Sequence, residues 1–182
     1  MAIKKLFLGL DLDETLISSI PSAVKNQIEA TDRGYDFIIQ DIKMKRETGV
    51  DVFYYVSERP HLKEFIDFAM DNFNVFVYSR ASYDYVHEIV RSIGLNSVNV
   101  PVFTRDDCVE NICEGFTFIK KDLNAISDIL LAKIDDIYFI DDVVCERQIT
   151  VVKNLIKAPE YNANDSDSYL KDLILELKKA LD

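Results

Sequence analysis

The sequence of 182 residues has few cysteines, no long hydrophobic run and a shortage of positive charge. Its three cysteines, Cys108, Cys113 and Cys145, leave an odd thiol under any pairing and show no CxxC spacing. This pattern argues against a disulfide framework and against a zinc site, and it favours a reducing compartment. We therefore expect an intracellular, cytoplasmic protein, with the nucleus as an alternative if the source is eukaryotic.

The apolar run near the N-terminus is short. In "MAIKKLFLGLDLDE", acidic residues interrupt it after about seven residues, too soon for a signal peptide or a membrane span. We expect no membrane association. The chain also lacks a low-complexity tract and a linker rich in Pro, Gly or Ser, and its length favours a single domain over residues 1–182 rather than two small ones.

Positive charge is scarce. The 21 Lys and Arg residues face 32 Asp and Glu residues, which gives a formal net charge of -11. Nucleic acids and anionic lipids would be repelled at long range, so nucleic acid is not an expected partner. A phosphate group bound by this protein needs local positive charge. The hydrophobic content of 48% argues against disorder.

Strand-like apolar runs alternate with helical patterns along most of the chain. The predicted strands are Leu6 to Leu12, Val75 to Tyr78, Val100 to Phe103 and Ile137 to Ile140, all rich in β-branched or aromatic residues. Helical spacing is found in "PHLKEFIDFAMDNF", "SYDYVHEIVRSIG", "NAISDILLAK" and "DSDSYLKDLILELKKALD". The alternation predicts a Rossmann-like α/β fold of three layers, with helices on both faces of a central parallel sheet.

One segment departs from this alternation. Between about Ile17 and Ser57, two extended runs, "YDFIIQDIKMK" and "VDVFYYVS", are joined by "RETG". This pattern predicts a β-hairpin. The insert is too short to form a second domain.

Acidic residues follow two of the predicted strands at their carboxyl ends. Asp11, Asp13 and Glu14 come after the first strand, and Asp141 and Asp142 after the last. Ligands of open α/β sheets bind beyond the carboxyl ends of the strands, and clustered carboxylate oxygens suit a hard divalent cation such as Mg²⁺. Either pair alone would be explained by helix capping or a solvated rim. Two pairs after two strands favour a cation site.

A hydroxyl and a lysine accompany these carboxylates. Ser79 ends the strand of "VFVYSR" and could hydrogen-bond a phosphoryl oxygen, while Lys120 and Lys121 precede a predicted helix. A hydroxyl, a lysine and a cation are the groups that stabilise phosphoryl transfer. Taken alone, Ser79 and Thr15 are equally well explained by turn or capping roles, and either lysine by a solvated position.

The motifs, in this order, resemble those of the haloacid dehalogenase superfamily. The sequence is similar, more narrowly, to its FCP1/SCP (NLI-interacting-factor-like) branch, which contains the phosphatases of the RNA polymerase II C-terminal domain and their relatives. The matching blocks are "LDLDETL", "YVSERPHLKEF", "VFVYSRASYDYV", "RDDCVENICEGFTFIKKDL" and "IYFIDD". They cover nearly the whole chain. The resemblance implies a three-layer fold with a small β-hairpin insert and no large cap domain.

The resemblance implies a mechanism through an aspartyl-phosphate. Asp11 would be the nucleophile, and Asp13 would protonate the leaving oxygen and then activate water. Ser79 and Lys121 would bind the phosphoryl group. Lys121 is preferred to Lys120 because the family has its lysine directly before "DL".

The resemblance also implies Mg²⁺ as the cofactor. The expected metal site comprises Asp11, the backbone carbonyl of Asp13, the carboxylate of Asp141, and Asp142 in a supporting position. Thr15 would steady the loop by bonding backbone groups near Asp13.

Access to the site bears on the substrate. Without a large cap, an open site favours phosphoserine or phosphothreonine in proteins, and we expect a monomer. A phosphatase of small phosphate esters or nucleotides, and a non-catalytic binding relative, remain alternatives.

Arg80, next to Ser79, is a candidate for binding the substrate. Ser79 and Arg80 stand where the family usually has Thr-Ala, and "DDVVCER" lacks the frequent N-S-P, so specificity for the polymerase tail does not follow.

Overall fold

The computed structural model describes residues 6–22, 34–95, 100–113 and 115–181. Its strands are β1 (Phe7–Leu10), β2 (Ile17–Pro21), β3 (Phe37–Gln40), β4 (Phe53–Glu58), β5 (Asn74–Tyr78), β6 (Val102–Phe103), β7 (Val109–Cys113), β8 (Phe116–Lys120), β9 (Ile137–Asp141) and β10 (Asn154–Lys157). Its α-helices are α1 (Ile42–Thr48), α2 (Leu62–Asn72), α3 (Tyr83–Ser92), α4 (Leu123–Ile129) and α5 (Tyr169–Leu181). Residues 23–33 of the expected insert and the side chain of Cys113 lie outside the described part.

The central sheet is parallel and has the strand order β10-β9-β1-β5-β6. β1 lies in the middle, and its last residue, Leu10, is opposite Val77 of β5 and Ile140 of β9. The predicted α/β class and parallel sheet are confirmed. The sequence analysis missed β10, because four residues ending in a lysine carry too little periodicity to mark a strand.

Helices cover both faces of this sheet. On one face, the buried side chains of the helices are Leu62, Phe65 and Ile66 of α2, Val86, Ile89 and Val90 of α3, and Leu170, Leu173, Ile174 and Leu177 of α5. On the other face, Leu123 and Ile126 of α4 pack with Phe76 and Phe139. The architecture is therefore three-layered, as expected. Among the described residues, no helix has the length and apolarity needed to cross a bilayer.

Gly9 lets aromatic rings close over the middle strand. The rings of Phe76 on β5 and Phe139 on β9 stack across β1, with centroids 6.1 Å apart. A Cβ atom at position 9 would overlap both rings. Because Gly9 has no side chain, the rings of Phe76 and Phe139 can pack together over β1, close to the carboxyl edge of the sheet.

The insert differs in detail from the predicted hairpin. It forms a three-stranded antiparallel sheet in the order β2-β4-β3. β3 and β4 are antiparallel, as predicted. The tight "RETG" connection and the extended end of "YDFIIQDIKMK" are wrong, because Ile42–Thr48 is helical. The segment "IKMKRET" consists largely of good helix formers, and the helix ends at Gly49, which has a φ of 71°.

A second small insertion precedes the predicted catalytic lysine. β7 and β8 form an antiparallel hairpin between β6 and α4. The hydroxyl of Tyr78, at the end of β5, joins the two ends of this insertion: it donates to the carbonyl of Asp107 at 2.9 Å and accepts from the backbone N–H of Asp122 at 3.0 Å. These bonds fix the backbone beside Lys121 against the end of β5.

Candidate active site

Three predicted site residues lie at one edge of the central sheet. Asp11, Ser79 and Asp141 stand at the carboxyl ends of β1, β5 and β9, which are adjacent parallel strands. The backbone N–H of Asp11 donates to the carbonyl of Ile140, and that of Ser79 to the carbonyl of Phe103, each at 3.0 Å. All three side chains are buried. The strand ends therefore bring together residues that are far apart in sequence.

Lys121 bridges two of the carboxylates. Its Nζ donates to Asp141 Oδ2 at 2.7 Å and to Asp11 Oδ1. The lysine is 2% exposed, and its backbone is held by a hydrogen bond from its N–H to the carbonyl of Gln148 at 2.9 Å. Lys121, not Lys120, makes these contacts in the described structure. The structure thus places Lys121 between Asp11 and Asp141, and its binding of phosphate stays a prediction.

The electrostatic balance of this cluster is negative. Burial raises the pKa of Asp11, and the charge of Lys121 opposes that shift. Burial, together with the like charge of Asp11, raises the pKa of Asp141. Burial alone would lower the pKa of Lys121, but the two carboxylates outweigh it and raise that pKa, so the lysine is charged at neutral pH. One ammonium group therefore faces more carboxylates than it can neutralise.

Thr15 connects the two acidic motifs. Its fully buried hydroxyl accepts from the backbone N–H of Asp142 at 3.1 Å. Its single proton has two acceptors within reach, Asp11 Oδ2 at 3.2 Å and Asp142 Oδ1 at 3.3 Å. The sequence analysis expected Thr15 to bond backbone groups near Asp13. Its hydroxyl instead orders the carboxylate of Asp11 and the backbone at Asp142.

One oxygen of the Asp13 carboxylate is held by residues outside this cluster. Its Oδ1 accepts hydrogen bonds from the hydroxyl of Ser19 at 3.0 Å and from the hydroxyl of Tyr85. Burial raises the pKa of Asp13, whereas the bonds from Tyr85 and Ser19 act to lower it. Ser19 and Tyr85 were not predicted as site residues. For Tyr85 a signal existed, because it is a tyrosine within the matching block "VFVYSRASYDYV".

A divalent cation fits the main acidic cluster. Carboxylate oxygens of Asp11, Asp141 and Asp142 all lie within 4.8 Å of one another. Hard oxygen donors of this kind suit Mg²⁺, and burial raises the pKa of Asp142 as well, so that a cation would compensate charge that Lys121 leaves unbalanced. Asp13 could contribute its backbone carbonyl, since Oδ1 of its carboxylate is bonded to Ser19 and Tyr85. The donor set therefore agrees with the expected metal site.

Two arginines supply positive charge in cavities close to Ser79 and Asp13. Arg80 donates to the side-chain carbonyl of Gln148, and with Arg105 it lines a groove of about 460 Å³ against Thr117 and Phe118 of β8. Arg105 also borders a second cavity, of about 400 Å³, which contains Asp13. The local positive charge required for an anionic substrate is thus present at Arg80 and Arg105.

The loop after Asp13 has an uncommon backbone conformation. Glu14 has a φ of 56°, in the left-handed region that side chains rarely adopt. Its carbonyl accepts from the N–H of Tyr161 at 2.7 Å, which helps to hold that conformation. Partial burial and the like charge of Asp13, with further contributions from Asp142 and Asp11, raise the pKa of Glu14 to about 7. The negative electrostatic potential of the site therefore extends to Glu14.

Arg59 supports the same loop from inside the protein. This arginine is 1% exposed and donates to the carbonyl of Thr15 at 2.8 Å. Its guanidinium also makes two bonds, at 3.0 and 2.8 Å, to the carboxylate of Asp167, and lies 4.5 Å from the ring centroid of Tyr169. Although burial opposes it, the pair with Arg59 lowers the pKa of Asp167. The buried arginine thus ties the loop that follows β1 to the C-terminal part of the chain.

The parallel sheet carries an Asp-x-Asp-x-Thr loop, a serine, a lysine and an acidic pair at one edge, in the arrangement that the resemblance to the haloacid dehalogenase superfamily implies. The chain belongs to the NLI interacting factor-like phosphatase family, whose family model matches residues 6–182. This match confirms the resemblance drawn from the sequence motifs.

A viral protein is similar to most of the chain. The putative CTD phosphatase-like protein 355R of Invertebrate iridescent virus 3 is 29% identical over 133 residues, which cover 69% of this chain and 67% of the viral protein. Its name agrees with the family, and the alignment covers about two thirds of each protein.

Two solved structures share the fold. Fcp1, an essential RNA polymerase II CTD phosphatase, matches with a TM-score of 0.62 at 21% identity, over 98% of this chain and 49% of Fcp1. Fission yeast Fcp1 bound to beryllium fluoride matches with a TM-score of 0.60 at 16% identity, over 98% of this chain and 51% of that one. The chain thus spans about half the length of these structures. At such identities the likeness shows the common fold.

Proposed function

We propose that this protein is a Mg²⁺-dependent phosphatase that acts through an aspartyl-phosphate, with phosphoserine or phosphothreonine in proteins as its substrate. The observation that carries the proposal is the buried Asp11, held between Lys121 and Thr15 at the carboxyl edge of the sheet. Family membership supports the reaction class. The CTD phosphatase-like viral relative and the small size of the inserts support a protein substrate.

In the first half-reaction, a carboxylate oxygen of Asp11 attacks phosphorus. The bond between phosphorus and the leaving oxygen breaks, and the electron pair goes to that oxygen, which takes a proton from Asp13. Burial raises the pKa of Asp13, which favours the protonated form that this step needs. Lys121 stabilises the negative charge of the phosphoryl oxygens, and the hydroxyl of Ser79 donates a hydrogen bond to one of them.

In the second half-reaction, water hydrolyses the aspartyl-phosphate. Asp13, now a carboxylate, takes a proton from the water as its oxygen attacks phosphorus. The bond from phosphorus to the oxygen of Asp11 breaks, so that phosphate leaves and the free carboxylate returns. Thr15 keeps Asp11 oriented between the two steps through its hydroxyl.

Asp11, Asp141, Asp142 and the carbonyl of Asp13 would hold the cation. A bound Mg²⁺ supplies Lewis-acid stabilisation of the phosphoryl charge. Asp141 has a second task, because its Oδ2 accepts from Lys121 and so positions the ammonium group. The backbone N–H of Val143 donates to its other oxygen at 2.7 Å, which keeps the carboxylate in place.

Arg80 and Arg105 are proposed to bind the anionic part of the substrate outside the reacting centre. Both line the groove against β8, and among the residues that the structure describes no carboxylate lines it. In a protein with a net charge of -11, this positive surface would draw a phosphorylated segment toward the site.

A hydrolysis panel tests the proposal. Phosphoserine and phosphothreonine peptides, sugar phosphates and nucleotides would be assayed with and without Mg²⁺, with Asp11→Asn as the inactive control. We expect turnover of the peptides to depend on Mg²⁺ and to be absent in the variant. Comparable or better turnover of small metabolites would replace the protein substrate with a small phosphate ester. Wild-type-like turnover by Asp11→Asn would exclude the aspartyl-phosphate route.

A further inference from the structure

We propose that Tyr85 and Ser19 are positioning residues that hold the Asp13 carboxylate in one orientation, so that its Oδ2 alone exchanges the catalytic proton. The inference rests on the proposed function, because it assigns a task to two residues beside the proposed acid and base. Neither residue was among those expected from the sequence motifs.

The hydrogen bonds divide the two oxygens of Asp13. Ser19 donates to Oδ1 at 3.0 Å, and Tyr85 donates to the same oxygen. The hydroxyl of Tyr85 also lies 2.7 Å from that of Ser19, so the two hydroxyls and Oδ1 form a closed triangle. Within the described residues, Oδ2 accepts no hydrogen bond. One oxygen is thus anchored and the other is left for the leaving group and the water.

The anchoring residues are themselves held by regular structure. Ser19 lies on β2, opposite Val56 of β4. Tyr85 lies on α3 and is 7% exposed, and its ring packs edge-to-face against Tyr54 of β4, with centroids 5.0 Å apart. The insert sheet and α3 therefore act on the catalytic loop from outside it. Asp13, on a loop, would otherwise sample several rotamers, and fixing one places the acid before substrate arrives.

Other roles for Tyr85 give different kinetic outcomes. If its hydroxyl served only packing, its removal would affect every substrate alike, and if it touched a peptide substrate, its removal would raise KM for that peptide. A misplaced general acid has another signature. It slows the hydrolysis of substrates whose leaving oxygen needs a proton, and it has little effect on the hydrolysis of substrates with a good leaving group.

The test compares two substrates of nearly the same size, phenyl phosphate and p-nitrophenyl phosphate. The values of kcat/KM report the half-reaction in which the leaving group departs. For both Tyr85→Phe and Ser19→Ala we expect kcat/KM to fall about tenfold or more on phenyl phosphate and less than about threefold on p-nitrophenyl phosphate. Tyr83→Phe removes an exposed hydroxyl from the same helix and is the matched control, expected to leave both values unchanged.

The double variant adds a second criterion. Because both hydroxyls act on the same oxygen, Tyr85→Phe with Ser19→Ala should lose little more than the worse single variant. An equal loss on the two aryl phosphates, a change confined to KM for a phosphopeptide, or fully additive losses would each overturn the inference. Those outcomes leave the proposed function standing. A wild-type protein without phosphatase activity would overturn both.

Discussion

In the part of the chain that the structure describes, two buried cations face carboxylates, and they are balanced differently. Arg59 and Lys121 are 1% and 2% exposed. Arg59 faces one carboxylate, that of Asp167, and its remaining contacts are the carbonyl of Thr15 and aromatic rings. Lys121 bonds two carboxylates, Asp11 and Asp141, beside a third at Asp142. The first site is matched in charge, and the second has an excess of negative charge.

The difference separates a structural ion pair from the proposed reactive site. A matched, buried and bidentate pair has little left to bind, whereas buried carboxylates that exceed their partners favour an added cation or proton. Perturbed pKa values cluster at sites of function for this reason. The four predictions that follow, in order of decreasing expected effect, act on one of the two sites at a time.

Arg59→Met should break the matched pair. It leaves Asp167 partly buried without its partner, and we expect the free energy of unfolding to fall by about 3–5 kcal/mol. Urea denaturation followed by circular dichroism measures this change. Arg91→Met, which removes an exposed ion pair with Glu88, is the matched control and should change stability by about 0.5 kcal/mol or less. Equal effects of the two variants would contradict a structural role for Arg59.

Lys121→Met should break the reactive site. We expect kcat/KM to fall by about 10²- to 10³-fold, because the phosphoryl charge loses a preorganised donor. The neighbouring Lys120→Met removes a lysine that makes no bond to these carboxylates in the described structure, and should retain activity. Steady-state assays of both variants on p-nitrophenyl phosphate decide between them. If Lys120→Met lost activity and Lys121→Met kept it, the assignment of the two lysines would be reversed.

Asp167→Asn should weaken the matched pair in a manner that depends on pH. At pH 7 we expect a loss of about 1–3 kcal/mol, the range for hydrogen bonds to a charged group. The pKa of Asp167 is lowered in the folded state, so its contribution is present above the unfolded pKa of about 3.8 and is lost as the pH falls through the folded value. Denaturation curves at pH 7 and pH 3 should therefore show the gap between variant and wild type narrowing. A gap that widens in acid would contradict the linkage.

Mg²⁺ should stabilise the protein through the reactive site alone. At a Mg²⁺ concentration ten times its dissociation constant, the expected gain is about 1.4 kcal/mol. Thermal unfolding with and without Mg²⁺ measures it without any assay of activity. Asp142→Asn should reduce the gain, whereas Asp167→Asn should keep it in full. If Asp142→Asn and Asp167→Asn lost the stabilisation by Mg²⁺ equally, the ion would act elsewhere.

The residues that could be predicted are those whose position is marked by the local sequence. Asp11, Asp141, Ser79 and Lys121 each stand at the end of a strand or the start of a helix, and the topology of a parallel sheet then predicts that the strand ends meet. The same reasoning predicted the central sheet, because alternating strands and helices specify it. It misplaced the connection within the insert, where helix-forming residues occupy a stretch too short to show a helical period.

Residues whose roles depend on distant partners were not accessible in this way. Tyr85 contacts Asp13 across 72 positions of sequence, and Arg59 contacts Asp167 across 108. Nothing adjacent to Arg59 shows that its guanidinium is buried, and the place of Tyr85 in a matching block does not show that it contacts Asp13. Such contacts follow from tertiary packing, which a single sequence does not reveal.

The contact between Glu14 and Tyr161 has a consequence for the order of events at the ribosome. The N–H of fully buried Tyr161 donates to the carbonyl of Glu14. The hydroxyl of Tyr161 donates to the carbonyl of Glu58 at 2.8 Å. At roughly 5–20 residues per second, the ribosome needs about 7–30 seconds to travel from one partner to the other. A nascent chain that already displays every motif through Asp142 still lacks this brace on the loop at Glu14. The contact therefore forms late in synthesis, after the last recognisable motif.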